Sequence, residues 1–513
     1  MTAPTISRLD PYSALKMPRD LGGPGLLVGW SMEREHMRTP VGFSFGAPDT
    51  SPDTGFVDPI LLNREGHLLT VAPTGAGKGV GCIIPALLHY EGPAIVIDPK
   101  GENAAITTRR RREMGQEVVV LDPLGLVDGS SGLFNPLDLI DPRSPSGVDE
   151  ASALVHALLP DRTDDGRNLY WVSRGRQLLL AMVLHVVTDL PSERHTLTEV
   201  RRIANAAAAD PAALARTFRQ SRHPEVRMIA GNLQINADST LGGILSFAQE
   251  GVDFLRGPSL QTAIERTSFD VDRVVSGAPL TIYIVLPPHM LGSHGRFLRL
   301  WISALMSLMM RRRRRPDKST LFILDEAAQL GPLDELRTAI TLMRGYGLQT
   351  WTFWQDLSQL RILYPQDWQT MLNNCAVLQA FGANNLRAAN DVAQVFGALN
   401  GLEFLTLEAD EMLLQIAGDE AVVAARPNYL RDPPFEGLFD QNPFFDSAVD
   451  PVPRPVIDRT YLRAAPSPPE PASTDRSKSR LGPGPVDPVD RLLSREILER
   501  LKTAAGTGRA DRE

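Results

Sequence analysis

The chain has 513 residues, 43% of them apolar, enough for about three domains with sizeable cores. Its 53 Lys plus Arg against 61 Asp plus Glu give a net charge of −8, which argues against a surface coated in nucleic acid, so that any nucleic-acid path must be local, such as a channel or ring interior. Two cysteines without metal-type spacing, Cys82 and Cys375, fit a reducing compartment. The opening residues carry no signal-peptide pattern, and no apolar run reaches the roughly 20 residues of a membrane span, so a cytoplasmic protein is expected.

In chain order, residues 1–54 are rich in Pro, Gly and Asp and read as an irregular flap, with one strand in 25–30. Leu68, Leu69, Thr70 and Val71 then form a short apolar run that predicts a buried strand, and 80–88 predicts a helix. Between them lies Ala72-Pro73-Thr74-Gly75-Ala76-Gly77-Lys78-Gly79, the strand–loop–helix of a P-loop. Gly75, Gly77 and Gly79 leave the backbone open, so successive N–H groups can face phosphate oxygens. Lys78 adds a charge for the terminal phosphates, and the first helical turn, with Val80, adds its dipole. Thr74, Gly75, Ala76, Gly77, Lys78, Gly79 and Val80 are the expected phosphate-binding residues. Two positions depart from the strict pattern. Ala72 replaces its first glycine, and Gly79 replaces the Ser or Thr that ligates Mg²⁺.

Residues 94–97 predict another buried strand ending in Asp98, and 117–121 another ending in Asp122. Strands alternating with helices imply a parallel sheet covered on both faces. Asp98 is either adjacent to the nucleotide or the cap of the next turn. Arg109 to Arg112 close a helix, where cations suit the dipole; DNA contact is the alternative. From 145 to 250 the strand pattern gives way to helices at 150–159, 169–187, 197–208, 211–220 and 224–235, with Trp171, Leu178 and Leu179 in their core.

Strands resume at 280–286, and a helix over 296–310 leads into Arg311 to Arg315, a weak candidate for a pore lining. Leu321, Phe322, Ile323 and Leu324 followed by Asp325 and Glu326 form a Walker B pattern. There Asp325 is expected on the Mg²⁺ side, and Glu326 as general base or water-orienting group. The strand at 350–354 ends in Gln355, a candidate γ-phosphate sensor. Arg344 is either an arginine finger for a neighbouring site or a helix-end cation. A strand at 377–381 and a helix at 384–396 follow. Residues 450–487 read as a Pro- and Ser-rich linker, and 489–505 as a short amphipathic docking helix with Leu492, Leu493, Ile497, Leu498 and Leu501.

Taken together, residues 66–432 resemble the coupling proteins of conjugative type IV secretion, the TraG-type DNA-transfer ATPases. The resemblance rests on residues 72–81, on Asp98-Pro99-Lys100-Gly101-Glu102-Asn103, and on Leu324-Asp325-Glu326-Ala327-Ala328-Gln329-Leu330-Gly331. Arg344 and Gln355 fall 19 and 30 positions after Asp325, where such proteins carry an arginine finger and a sensor glutamine. The resemblance implies an α/β fold: a RecA-like P-loop NTPase domain with a mainly parallel sheet, plus an inserted all-α domain. Expected boundaries are 1–54 (flap), 55–144 (first nucleotide-binding part), 145–255 (all-α insertion), 256–448 (second nucleotide-binding part) and 449–513 (linker and terminal helix).

It also implies ATP and Mg²⁺ as cofactors and a homo-hexamer that binds DNA in its channel. That DNA, single-stranded or relaxase-bound, would pass with the relaxosome to type IV secretion components at the inner membrane. The all-α domain would recruit cargo. Within this scheme Lys78, Glu326, Gln355 and Arg344 serve catalysis, and Asp325 holds Mg²⁺ through water. Such proteins begin with a membrane anchor, and no apolar span of that length occurs in this sequence, so the expected place is the cytoplasm or the inner-membrane periphery. The rival functions are a nucleotide-switched adaptor for protein effectors and a cytosolic ring translocase.

Overall fold

Apolar runs of four to seven residues become the central strands of one eleven-stranded sheet. The computed structural model describes residues 18–31, 58–129, 132–160, 168–233 and 238–445, all belonging to the unit Tyr12–Ile457. The strands are β1 Leu26–Ser31, β2 Asp58–Leu62, β3 His67–Val71, β4 Ala94–Ile97, β5 Glu117–Leu121, β6 Leu280–Ile284, β7 Thr320–Leu324, β8 Leu348–Trp354, β9 Cys375–Ala380, β10 Glu411–Ile416 and β11 Val422–Ala425. Their order is β2-β1-β11-β10-β9-β3-β8-β7-β4-β6-β5.

Seven neighbours, from β9 to β5, run parallel. Such strands need crossovers and are covered on both faces, which is why they read as unbroken apolar runs. β3, β4, β6, β7 and β8 are buried at every residue. From β9 outward the sheet turns antiparallel through β10, β11, β1 and β2. The segment read as part of a flap is therefore a sheet strand: β1 joins β2 to β11, and its Leu26, Val28 and Trp30 are buried.

The two halves are tied by a buried polar chain. Trp351 Nε1 donates to Thr70 Oγ1 at 2.8 Å, Thr70 Oγ1 to Gln379 Oε1 at 2.7 Å, and Gln379 Nε2 to the Val28 carbonyl at 2.7 Å. Every side-chain polar atom used in this chain finds a partner, which is what allows it to sit in the core.

Between β5 and β6 the described residues contain no strand. Their helices include Gly147–Leu158, Leu169–Asp189, Leu197–Ala209, Pro211–Arg219, Pro224–Leu233 and Asp238–Val252. The boundaries follow local caps: Thr196 accepts from the Glu199 N–H and Asp210 from the Ala213 N–H. Leu178 and Leu179 are buried, and Trp171 packs, partly buried, against the same core. The helix Asp238–Val252 escaped the sequence reading, since its Gly242, Gly243 and Ser246 dilute the apolar spacing. The amphipathic segment at 489–505 lies outside the described residues.

Two arginine runs expected on the surface instead deliver clamps to the interior. Arg111 donates to Thr281 Oγ1 at 2.9 Å, to the Gly92 carbonyl at 2.6 Å, and to the carbonyls of Leu87 and Tyr90. Arg312 gathers the carbonyls of Val274, Val275, Tyr346 and Gly347 with Thr320 Oγ1. Burial pushes both guanidinium pKa values down to about 10. Arg312 therefore does not line a pore, and Arg111 is not a solvated helix end. Arg109 does stay on the surface, paired with Glu113 and Asp440.

Candidate nucleotide site

Strand order brings the distant motifs together. β3 feeds the P-loop, β8 lies beside it and β7 beside β8. Val71 is in register with Trp354, and Leu324 with Thr352, so the three strands end at similar height on one edge. That carboxyl edge is where open parallel sheets bind ligands.

After β3 the chain turns through Gly75 and Gly77, both left-handed at φ 80° and 87°, which glycine adopts without the Cβ penalty. Lys78 is already helical and leads into a π-turn, Gly79–Ile83, that continues as the helix Ile84–His89. The Lys78 side chain is 8% exposed. Its Nζ donates to Glu326 Oε1 at 3.1 Å and to the Ala72 carbonyl at 3.4 Å. Gln355 Nε2 donates to the other carboxylate oxygen, Oε2, at 2.9 Å. One carboxylate thus receives the P-loop lysine, 248 residues away in sequence, and the glutamine that ends β8.

Glu326 is the one non-glycine residue with positive φ among the described residues, at 57°. A bulky residue held in the left-handed region costs of order 1 kcal/mol and persists where its surroundings fix it. Here the turn separates two consecutive acids. Glu326 turns to Lys78 and Gln355, and Asp325 stays against the strand ends. Asp325 Oδ1 is buried without a hydrogen-bond partner. Burial, then the neighbouring Glu326, pushes the Asp325 pKa up to about 6. An orphaned carboxylate oxygen beside an anion cradle fits a cation ligand, directly or through water. Gly79 has no oxygen to add.

The other strand-end acids divide. Asp98 is fully buried, accepts from the Ala104 N–H at 2.8 Å and from Asn103 Nδ2 at 3.3 Å, and so caps the helix Glu102–Glu113. It also stands beside Asp325, because Ile97 is in register with Leu324. Burial pushes its pKa up to about 7. Asp122 braces its own turn, accepting from the Leu124 and Val127 N–H groups. Arg344 lies on the turn Met343–Tyr346, between Glu326 and Gln355 in sequence, and its side chain is outside the described residues.

One neighbour of the loop carried no sequence signal. Arg426, just after β11, donates to the Ala76 carbonyl and, at 2.6 Å, to the Ala409 carbonyl. Its guanidinium carbon lies 4.4 Å from the Phe381 ring centroid. Gly382, next to Phe381, lets the β9 end approach: a methyl there would sit 2.9 Å from the Ala76 Cβ. No motif marks Arg426, since only the fold brings β11 to the P-loop.

A family profile for type IV secretory system conjugative DNA transfer matches residues 47–400. A conjugal transfer protein TraG from Escherichia coli is 26% identical over 356 residues, covering 65% of this chain and 55% of the relative. TraG from Agrobacterium fabrum is 29% identical, covering 58% and 45%. The type IV secretion system-coupling protein VirD4 of Bartonella quintana is 25% identical, covering 65% and 53%. The chain thus spans about half the length of these curated relatives.

Among solved structures, the plasmid coupling protein TrwB bound to a non-hydrolysable GTP analogue superposes with a TM-score of 0.55 at 17% identity, over 71% of this chain and 86% of that one. TrwB with ADP and Mg²⁺ gives 0.55 at 16%, over 71% and 85%. At that identity the likeness is one of fold, here the RecA-like P-loop fold. With the profile covering more than half of its length, the chain belongs to the family of type IV secretory system conjugative DNA-transfer proteins.

Proposed function

We propose that this protein is an ATP-hydrolysing motor that recruits DNA, or a relaxase–DNA complex, and drives it towards a type IV secretion channel. The observation that carries the reading is the Glu326 carboxylate, held at once by Lys78 and Gln355. In this state Glu326 neutralises the lysine that a terminal phosphate would otherwise engage. Nucleotide binding would hand Lys78 to the phosphates and free one oxygen of Glu326 to orient and deprotonate the attacking water. Gln355, hydrogen-bonded to that carboxylate, would register the change.

The amides of 75–80 would hold the β- and γ-phosphates, with Thr74 and Ala76 shaping the turn. Asp325 would hold Mg²⁺ through water, and the ion would supply charge neutralisation at the phosphates. Arg344 would complete a neighbouring copy's site in a homo-hexamer. Its turn is flanked by apolar residues left in solvent, Leu342 at 73% and Tyr346 at 41% exposure, as a surface that meets a second copy would be.

A local cationic path suits the net negative charge of the chain. A cavity of about 590 Å³ beside Gln329 and Gly331 is lined by Arg256, Arg296 and Arg299 against Glu250 and Asp253. Arg299, partly buried in the helix Pro288–Met310, would contact a DNA phosphate there. TrwB is bound to ADP and Mg²⁺ in one of the structures compared, which supports the same pairing of cofactors here.

The test is ATP turnover with and without single-stranded and duplex DNA across a salt series. The expected result is DNA-stimulated hydrolysis with steep salt dependence, reduced at least ~100-fold by Lys78→Ala. Turnover indifferent to any DNA would favour the nucleotide-switched adaptor instead, and parental turnover in Lys78→Ala would refute the site.

A further inference from the structure

Arg426 reaches the P-loop from the side opposite the acids. Its side chain occupies room that Gly81 leaves, where a methyl would sit only 2.7 Å from Cγ and Cδ, and its Nη2 lies in ordinary contact range of Gly77, 3.5 Å from where a methyl would stand. The base of the side chain is pinned, since the Arg426 N–H donates to the Asp410 carbonyl at 2.7 Å. The far end rests on the Phe381 ring.

The contrast with the two structural clamps is informative. Arg111 and Arg312 are each enclosed by four or five oxygen acceptors. The Arg426 side chain has two, the carbonyls of Ala76 and Ala409, and no ion pair with a carboxylate among the described residues. The carboxylate that acts on it electrostatically, Asp410, pairs with Arg431 at 3.6 Å. Of five guanidinium N–H groups, about three remain to donate. A partly desolvated cation with donors in hand, touching a loop built to collect an anion, gains most when that anion arrives.

We propose that Arg426 is a nucleotide-binding residue, supplied within the same chain by the antiparallel half of the sheet, which contacts the diphosphate portion shared by ADP and ATP. The inference rests on reading residues 72–80 as the nucleotide site. Lys78 and Glu326 mark the end of the pocket for the terminal phosphate. Arg426 approaches Gly77 and Gly81 from the β9–β11 side, where the inner phosphates would lie. Because both nucleotides carry that portion, Arg426 contributes binding energy equally to ground and transition states.

The test is direct titration of the full chain with MgADP and with a non-hydrolysable ATP analogue, beside steady-state kinetics. The proteins compared are the parent, Arg426→Ala, Arg426→Lys and Lys78→Ala. Arg426→Ala is expected to weaken both ligands alike, by about tenfold or more, with KM rising in step and kcat within about threefold. Arg426→Lys should recover part of the loss. Unchanged ADP affinity, loss confined to the ATP analogue, or loss confined to kcat would each overturn the proposal. So would a lower melting temperature of the free protein with an undiminished shift on adding MgADP, the mark of a purely structural arginine. A parent chain that binds neither nucleotide would instead overturn the reading of the site itself.

Discussion

Two regions of the sheet meet the P-loop, and they bring different chemistry to it. From the parallel side, β7 and β8 deliver Asp325, Glu326 and Gln355 to one corner, linked by hydrogen bonds of 2.9 and 3.1 Å through Glu326 to Lys78. From the antiparallel side, β9 and β11 deliver Phe381, Gly382 and Arg426 to the opposite flank of the same loop. One flank holds groups that can take and give protons or hold a cation. The other holds a fixed positive charge on an aromatic ring, which can bind but not react. The division suggests that turnover is governed from the parallel side and affinity from the antiparallel side.

Removing the Gln355 amide should break that comparison most visibly. Gln355→Ala deletes the donor to Glu326 Oε2 without touching the loop, so kcat is expected to fall about 10–100-fold while ADP affinity stays within about threefold. A Gln355→Ala protein that lost ADP affinity instead would erase the distinction between the flanks.

A smaller effect sharpens it through stability. The Asp325 pKa is raised to about 6 by burial and by Glu326, so the native state holds this proton more tightly than the unfolded chain does. Between roughly pH 4 and 6 the native state therefore binds more protons than the unfolded one, and stability falls as pH rises. Above that window the cost is fully present. Asp325→Asn should stabilise the nucleotide-free protein by about 1–3 kcal/mol at pH 7.5, and the gain should vanish towards pH 4. Thermal melts at the two pH values, without Mg²⁺, check both the sign and the window. Asp98, pushed up to about 7 by burial and in part by Asp325 itself, adds a slope of the same sign, and that slope is smaller in Asp325→Asn.

The two flanks were also unequally legible in the sequence. Strands buried on both faces announce themselves as apolar runs, and their carboxyl ends carry the acids and the glutamine. The P-loop, Asp325, Glu326 and Gln355 were readable for that reason. The antiparallel strands come from segments as far apart as 26–31 and 422–425, and their pairing depends on the tertiary fold. β1 looked like a fragment of an irregular flap, and Arg426 looked like any surface arginine after a strand. Arg312 misled in the opposite sense: a run of five arginines reads as a cationic surface, yet the turn after the helix Pro288–Met310 buries the second of them among carbonyls. Burial of a charge is decided by what surrounds it in space, and residue type alone does not report that.

Steady-state ATP turnover by Glu326→Gln, measured beside its affinity for ATP, tests most directly whether Lys78, Gln355 and Glu326 form one hydrolytic pocket. Affinity within about threefold of the parent and turnover at least ~100-fold lower are expected, because the amide keeps the shape but cannot accept the proton of water. Turnover at the parental rate would contradict it.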